Sequence, residues 1–474
     1  MIPCSAPQLL NVPMRAPRFT PIANTALNRK FLLNIAVLLF VNVLIKPFYI
    51  FGIDRTIQNT VGERAYGMYF SLLSFTLIFQ IINDFGIQNF NNKNIAQHEH
   101  LLEKYFSNIL VLKLLLTLVY ALVVGLAGWL AGYSAEYTYL LALLTASQVL
   151  NSFVLFLRSN VSGLQRYYAD SFLSVLDRLV LIVVCGALLW GGSWWSLGVF
   201  RVEWLVYAQI FAYLITAFTA LWFLRDRLGL AHFTRLRLNR SFLLLLLRGS
   251  APYALTVFLM SVYTRLDSVM IERLLPDGAN EAGLYASAYR LLDASVMVGY
   301  LTASLLLPMF ARLLKERAAV LPLVRLSFSV VWVLATTVAA GVWMYREPMM
   351  HLLYAHATPY SGALLGWLMW SFPAVVAMYI FGTLLTANGS MREMNILFVG
   401  SVVLNLALNL ALIPEYKALG SAWATLATQA FVPLVQVLLC VRIFRWRTDV
   451  LFLVRTAAVA LFAVGVFGGI MRVA

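Results

Sequence analysis

Apolar runs of about twenty residues recur along the chain, separated by short polar stretches. A helix needs about 20 apolar residues to cross a hydrocarbon core of roughly 30 Å, so each run predicts a transmembrane helix. The predicted spans are 31–52, 66–85, 106–130, 139–157, 171–190, 204–224, 242–263, 283–310, 326–345, 363–386, 395–413, 419–441 and 450–471. The fold class predicted is therefore an all-α polytopic membrane protein with 12–13 transmembrane helices.

Composition supports this class and argues against a nucleic-acid partner. The chain is 62% hydrophobic and only 12% charged, whereas a soluble domain has roughly 45–50% apolar and about 25% charged residues. The net charge of +15 is concentrated in short loops between apolar runs rather than in a basic stripe with interleaved aromatic residues. These cations predict membrane orientation.

The loops are alternately rich and poor in Lys and Arg. The rich ones contain Arg15, Arg18, Arg29, Lys30, Lys93, Lys104, Arg158, Arg166, Arg225, Arg227, Arg235, Arg237, Arg240, Arg312, Lys315, Arg317, Arg392, Arg442, Arg445 and Arg447. The positive-inside rule then places the N-terminus in the cytoplasm. Thirteen spans would leave the C-terminus outside, so 450–471 is alternatively a re-entrant or interfacial segment.

The chain divides into two similar halves. We predict a basic cytoplasmic tail (1–30), an N-terminal half (31–228), a basic linker (229–241), a C-terminal half (242–442) and an extra hydrophobic segment (443–474). Gly67-Met-Tyr69 opens the second span as Gly283-Leu-Tyr285 opens the eighth. Gly163-Leu-Gln-Arg166 follows the fourth span as Gly389-Ser-Met-Arg392 follows the tenth. Six spans separate the copies, which predicts a parallel repeat of the kind known in secondary transporters.

Four cations lie in or at the ends of predicted spans: Lys46, Lys113, Arg265 and Arg290. A cation in hydrocarbon costs a few kcal/mol on insertion scales and roughly 10 or more on an isolated helix. Such residues usually face an interior cavity. The pattern therefore indicates a transporter that handles anions.

Two stretches resemble the multidrug/oligosaccharidyl-lipid/polysaccharide exporter superfamily, and in particular its polysaccharide-flippase branch. The first is 263–270 (YTRLDSVM) with 283–291 (GLYASAYRL), and the second is 405–414 (NLALNLALIP) with 420–425 (GSAWAT). The usual glycine shortly after Pro414 is absent, and Lys417-Ala418 stands in that region. Residues 46–94 are similar to a subgroup of O-antigen or capsule flippases.

This resemblance implies two six-helix lobes around a central cavity. Members move undecaprenyl-diphosphate-linked oligosaccharides to the outer leaflet of the bacterial cytoplasmic membrane by alternating access. A lipid-linked glycan substrate, the bilayer, and polysaccharide polymerase or assembly proteins are the partners expected. We expect a monomer that is not an enzyme and has no cofactor.

The expected substrate-binding cations are Arg290, Arg265 and Lys46. The resemblance places Arg290 where related flippases keep a cavity arginine, and a guanidinium matches phosphate geometry. The alternatives are an ion pair of Arg290 with Asp267 or Asp293, a membrane-boundary position for Arg265 beside Asp267, and extension of Lys46 to the interface.

Three carboxylates, Asp84, Asp267 and Asp293, are candidates for ion coupling, with structural pairing as the alternative. We expect Lys113 to extend to the inner membrane boundary. Asn405 and Asn409 are expected to hydrogen-bond between helices.

Other functions are weighed against these features. The chain has no Gly-rich loop ending in Gly-Lys-Ser/Thr, and its three cysteines lack metal-ligand spacing. A membrane glycosyltransferase or polymerase would be expected to show clustered carboxylates or a large external loop. A drug/cation antiporter of the same fold would favour acidic cavity residues, and a lipid II flippase would handle a similar headgroup.

Overall fold

The computed structural model describes residues 45, 47–88, 91, 95, 101–191, 200–229, 240–446, 456 and 458. Within these residues the protein is helical and contains no strand. A π-helical segment, Tyr49–Asp54, leads into thirteen α-helices. They are α1 Arg55–Ile78, α2 Gln80–Asp84, α3 Leu101–Leu130, α4 Ala135–Gly163, α5 Tyr167–Trp190, α6 Val202–Leu224, α7 Arg240–Leu274, α8 Gly278–Lys315, α9 Leu321–Met344, α10 Arg346–Leu353, α11 Pro359–Met369, α12 Ser371–Ala387 and α13 Met391–Phe444.

Nine helical stretches of the described chain are long and apolar enough to cross a membrane. The prediction of an all-α polytopic membrane protein is confirmed. The tail 1–30 and most of the predicted spans 31–52 and 450–471 lie outside the described residues, as does most of the linker 229–241.

Helix α7 is longer than the sequence predicted. The predicted span ended at residue 263 because Thr264, Arg265 and Asp267 interrupt the apolar run, yet the helix continues to Leu274. Arg265 and Asp267 are accommodated because they bind α8 and α13 rather than lipid, and the Thr264 hydroxyl donates within α7. Placing Arg265 at the end of its span was therefore wrong, since it lies more than two turns inside the helix.

Helix α13 contains both the eleventh and the twelfth predicted spans. Its backbone breaks at Lys417, where φ is 55° and ψ is −136°. A Cβ placed on Gly420 would lie 2.4 Å from the carbonyl oxygen of Leu412, so the chain folds back on itself here. A lysine thus adopts a left-handed φ that glycine adopts more readily, and its ammonium lies 3.1 Å from Glu281 Oε1.

The two halves meet most closely where α1 crosses α8. A Cβ on Gly67 would lie 1.9 Å from the Ala279 carbonyl oxygen, and one on Gly283 would lie 2.1 Å from the Glu63 carbonyl oxygen. Only residues without a side chain allow this approach. The two contacts are reciprocal and join repeat-related positions, so the pair of motifs found in the sequence forms one pseudo-symmetric contact. We call it the glycine crossing.

Further polar contacts join the halves at the same end. Gln58 Nε2 donates to the Gly283 carbonyl at 3.0 Å, and Asn59 Nδ2 donates to the Leu353 carbonyl at 3.0 Å. Arg273, at the end of α7, donates to the Ala131 carbonyl beyond α3. These bonds reinforce the glycine crossing.

Candidate functional site

A cavity of about 520 Å³ lies between the two halves. On the N-terminal side its wall runs from Leu77 to Gln88, and on the C-terminal side it is formed by α7, α8, α12 and α13. Leu77 and Asp293 each lie ten residues beyond their glycine of the crossing, which is about 15 Å along a helix. The charged residues of its lining are Asp84, Arg265 and Asp293.

Arg290 lies between the glycine crossing and this cavity, and it joins the two halves. Its Nε is 3.0 Å from Asp54 Oδ2 and donates to the Tyr66 hydroxyl at 3.1 Å. Tyr66 in turn donates to the same Asp54 oxygen at 2.6 Å. The guanidinium carbon lies 5.0 Å from the centre of the Phe70 ring. Arg290 is thus held by a carboxylate, a hydroxyl and an aromatic ring of the other half.

Arg265 and Asp293 form the adjoining part of the cavity wall. Arg265 Nη1 is 3.6 Å from Asp293 Oδ2, and Arg290 Nη1 is 3.9 Å from the same oxygen. Both Arg265 and Asp293 side chains are about a quarter exposed. Asp293 therefore links the two arginines, and the wall presents a guanidinium and a carboxylate side by side.

The alternatives for Arg290 were an ion pair with Asp267 or with Asp293, and neither residue is its main partner. Arg290 contacts Asp293 only at 3.9 Å, and its main carboxylate partner is Asp54. Asp267, the other expected partner of Arg290 and the expected neighbour of Arg265, makes its hydrogen bonds elsewhere. Lys46 lies outside the described residues.

Asp267 is buried in the C-terminal half, with 1% of its surface exposed. Asn405 and Asn409 donate to Oδ1 at 3.0 and 2.7 Å. Thr425 and Tyr285 donate to Oδ2 at 2.5 and 3.2 Å. The expectation that the two asparagines bond between helices is confirmed, and both bonds reach this carboxylate. All four donors are neutral, and the side-chain oxygen of Asn409 accepts no hydrogen bond within the described residues.

Lys113 is fully buried, with 0% exposure. Its ammonium donates to the Asn83 carbonyl at 2.7 Å and to the Ser152 hydroxyl, and it lies 3.6 Å from Asp84 Oδ1. The expected extension of Lys113 to the membrane boundary was wrong. Two hydrogen-bond acceptors and a nearby carboxylate make burial of the Lys113 ammonium less costly than the sequence alone suggested.

Asp54, Tyr66 and the buried role of Lys113 were not predicted. Asp54 lies between the predicted spans 31–52 and 66–85, and the π-helical segment carries it into the protein interior. Asp54 and Tyr66 are 12 residues apart, a spacing that does not place two side chains on the same face of a helix. The sequence offered one signal: Arg290 requires an anionic partner, and Asp54 is an acidic residue next to an apolar span.

Comparison with known proteins identifies the family. The model of a family described as "polysaccharide biosynthesis protein" matches residues 31–314, which is more than half of the chain. The chain belongs to this family.

The lipid III flippase of Escherichia coli K12 is 28% identical over 205 residues, which cover 42% of this chain and 47% of that relative. The Shigella flexneri lipid III flippase matches equally. The chain thus matches about half the length of these curated relatives.

Two solved structures share the fold. One is described as the lipid II flippase MurJ in an inward closed conformation, with a TM-score of 0.66, 11% identity, and 93% of this chain and 98% of that chain covered. The other is an inward-facing multidrug resistance MATE family transporter of the MOP superfamily, with a TM-score of 0.65, 17% identity, and 87% and 95% covered. Together with the family match, they confirm membership of the superfamily indicated by the sequence.

Proposed function

We propose that the protein is a flippase for an undecaprenyl-diphosphate-linked oligosaccharide, a building unit of a surface polysaccharide such as O-antigen or capsule. The observation that carries the proposal is the cavity between the halves, with Arg265 in its wall and Arg290 directly behind it. A diphosphate-sugar headgroup loses its hydration in hydrocarbon at high cost, whereas a polyprenyl tail is stable there. A cavity with charged side chains in its wall, enclosed by an apolar helical shell, meets both requirements.

The direction of transport follows from the topology that we propose. With the N-terminus in the cytoplasm of a bacterial cell, the glycine crossing lies on the outer side of the inner membrane. The cavity then lies on the cytoplasmic side, where lipid-linked oligosaccharides are assembled. Separation of the halves at the crossing would open the cavity to the outer leaflet by alternating access.

In this mechanism Arg290 and Arg265 hold the diphosphate, and Lys46 is a further proposed cation. The test is surface polysaccharide output in cells that carry each variant. Arg290→Ala should abolish export while the protein still inserts, and Arg290→Lys should retain little if the planar guanidinium is required. Arg312→Ala is the matched control, since Arg312 lies on the same helix but is 79% exposed. Normal output from Arg290→Ala would refute the role of Arg290.

We further propose that Asp267 couples transport to a cation, either a proton or Na⁺. A buried carboxylate surrounded by four neutral donors supports this role, because an added positive charge would be compensated there. Asp84 and Asp293 are less suited, because each already lies within 4 Å of a cation. Na⁺ or lower pH should raise the melting temperature of the purified protein, and Asp267→Asn should remove that dependence. A variant with unchanged ion dependence would contradict the proposal.

Two other lipid-linked substrates have similar chemistry. Lipid II or lipid III would satisfy the same cavity, so the glycan must be identified from the lipid that accumulates in cells lacking the gene. Altered sensitivity to cationic compounds without lipid accumulation would instead favour the drug-antiporter alternative.

We propose a monomer that can work with a polysaccharide polymerase, and co-purification tests that association.

A further inference from the structure

The ion pair between Asp54 and Arg290 occupies the position that an anionic ligand of Arg290 would take. Asp54 belongs to the N-terminal half and Arg290 to the C-terminal half, and their side chains are only 2% and 16% exposed. Guanidinium groups bind carboxylates and phosphates through the same directed N–H donors. A protein carboxylate thus already fills the site on which a diphosphate would be held.

Because the pair is buried, Asp54 and Arg290 separate readily only if another charge replaces the lost partner. Removing one partner of a buried ion pair leaves an uncompensated charge, which is strongly unfavourable. Arg290 can therefore leave Asp54 readily only when another anion takes its place. After the exchange Asp54 would keep the hydrogen bond from the Tyr66 hydroxyl of its own half, whereas its Oδ1 has no hydrogen-bond partner within the described residues.

The cavity comes close to Arg290, because its lining includes the neighbouring residues Tyr289 and Asp293. Nε of Arg290 faces Asp54, whereas Nη1 lies 3.9 Å from Asp293, which lines the cavity. An anion that approaches from the cavity would thus reach Nη1 first and would then compete with Asp54 for the same guanidinium. The ion pair also lies between the cavity and the glycine crossing, so it connects ligand binding to the contact between the halves.

We propose that Asp54 is a displaceable counter-anion of Arg290, which the diphosphate of the substrate replaces, and that this exchange releases the two halves from each other. The inference rests on the proposed flippase function. It assigns to Asp54 a role in specificity. A neutral headgroup cannot replace the carboxylate, so it leaves the halves joined. An anionic headgroup replaces it and permits the conformational change that carries the headgroup across.

Binding of farnesyl diphosphate to the full chain in lipid nanodiscs tests the exchange, with uncharged farnesol as the control ligand. Asp54→Asn removes the competing charge, so the diphosphate should bind about tenfold tighter or more, the value of one charge-assisted hydrogen bond. Arg290→Gln should weaken binding, and the double variant should resemble Arg290→Gln. Asp170→Asn is the matched control, because it breaks an ion pair of 3.0 Å with Arg158 inside one half and should leave affinity unchanged.

Release of the halves is measured separately by spin-label distances between Leu130→Cys and Leu352→Cys, with Cys4, Cys185 and Cys440 replaced. Both label sites are exposed, one in each half. The wild-type distance should lengthen only with farnesyl diphosphate, whereas Asp54→Asn should lengthen it without ligand. If Asp54→Asn does not insert, Tyr66→Phe takes its place and should weaken binding a few-fold, since it removes the donor that stabilises Asp54 after Arg290 has left.

The outcomes separate the two proposals. Diphosphate binding by the wild type with no tightening in Asp54→Asn, or with no weakening in Tyr66→Phe where that variant replaces it, would overturn the exchange and leave the flippase proposal standing. No binding of the diphosphate by a folded wild-type protein would overturn both. Tighter binding together with ligand-free opening would establish Asp54 as the counter-anion.

Discussion

Alanine at either glycine of the crossing should force the two halves apart. The Cβ of Gly283→Ala would lie 2.1 Å from the Glu63 carbonyl oxygen, whereas an ordinary contact between carbon and oxygen is about 3.3 Å or longer. The helices would have to separate by about 1.2 Å, because the obstructing atom is backbone and cannot rotate away. Overpacking of this kind costs about 1–3 kcal/mol. A bias of that size against the closed arrangement changes its population ratio by about 5- to 150-fold.

The assay is the distribution of distances between spin labels at Leu130→Cys and Leu352→Cys, recorded without ligand. Gly283→Ala and Gly67→Ala should shift the distribution to longer distances. Gly400→Ala is the matched control, since a Cβ there has no neighbour within 4 Å, and it should leave the distribution unchanged. A Gly283→Ala protein with the wild-type distribution would refute the idea that the glycine crossing holds the closed state.

Two further predictions concern the buried charges within each half. Lys113→Met should destabilise the protein by about 3–5 kcal/mol because it leaves the Asp84 carboxylate without its cationic partner. The double variant Lys113→Met with Asp84→Asn should recover much of this loss in thermal unfolding. A double variant as unstable as Lys113→Met would contradict the pairing. Thr425→Val removes one of four hydrogen bonds to Asp267, so it should cost about 1.5–3 kcal/mol and weaken any Na⁺-dependent rise in melting temperature. An unaltered ion response would indicate that Thr425 is not part of an ion site.

The helical class could be predicted from the sequence because it leaves a periodic signal. Apolar runs of membrane-spanning length marked most of the helices. The Gly67 and Gly283 motifs were similar in sequence, but their offset alone did not show that they touch. That contact depends on how α1 and α8 cross, which single-sequence periodicity does not encode.

Buried charge was the main source of error. The apolar run of α7 appeared to end at residue 263 because Arg265 and Asp267 are polar, yet each has a partner inside the protein. Lys113 was assigned to the membrane boundary for the same reason. Asp54 was missed because the partners that it has among the described residues, Arg290 and Tyr66, are brought to it by tertiary structure. Hydropathy estimates the cost of exposure to lipid but contains no information on partners.

The central claim is that the protein moves a lipid-linked glycan from the inner to the outer leaflet. The most direct test is to measure, leaflet by leaflet, the amount of each lipid-linked oligosaccharide in cells with and without the gene. The account predicts that one diphosphate-linked glycan accumulates in the inner leaflet without the gene, and that wild-type protein but not Arg290→Ala reverses this. An unchanged distribution of every lipid-linked glycan between the leaflets would contradict the account.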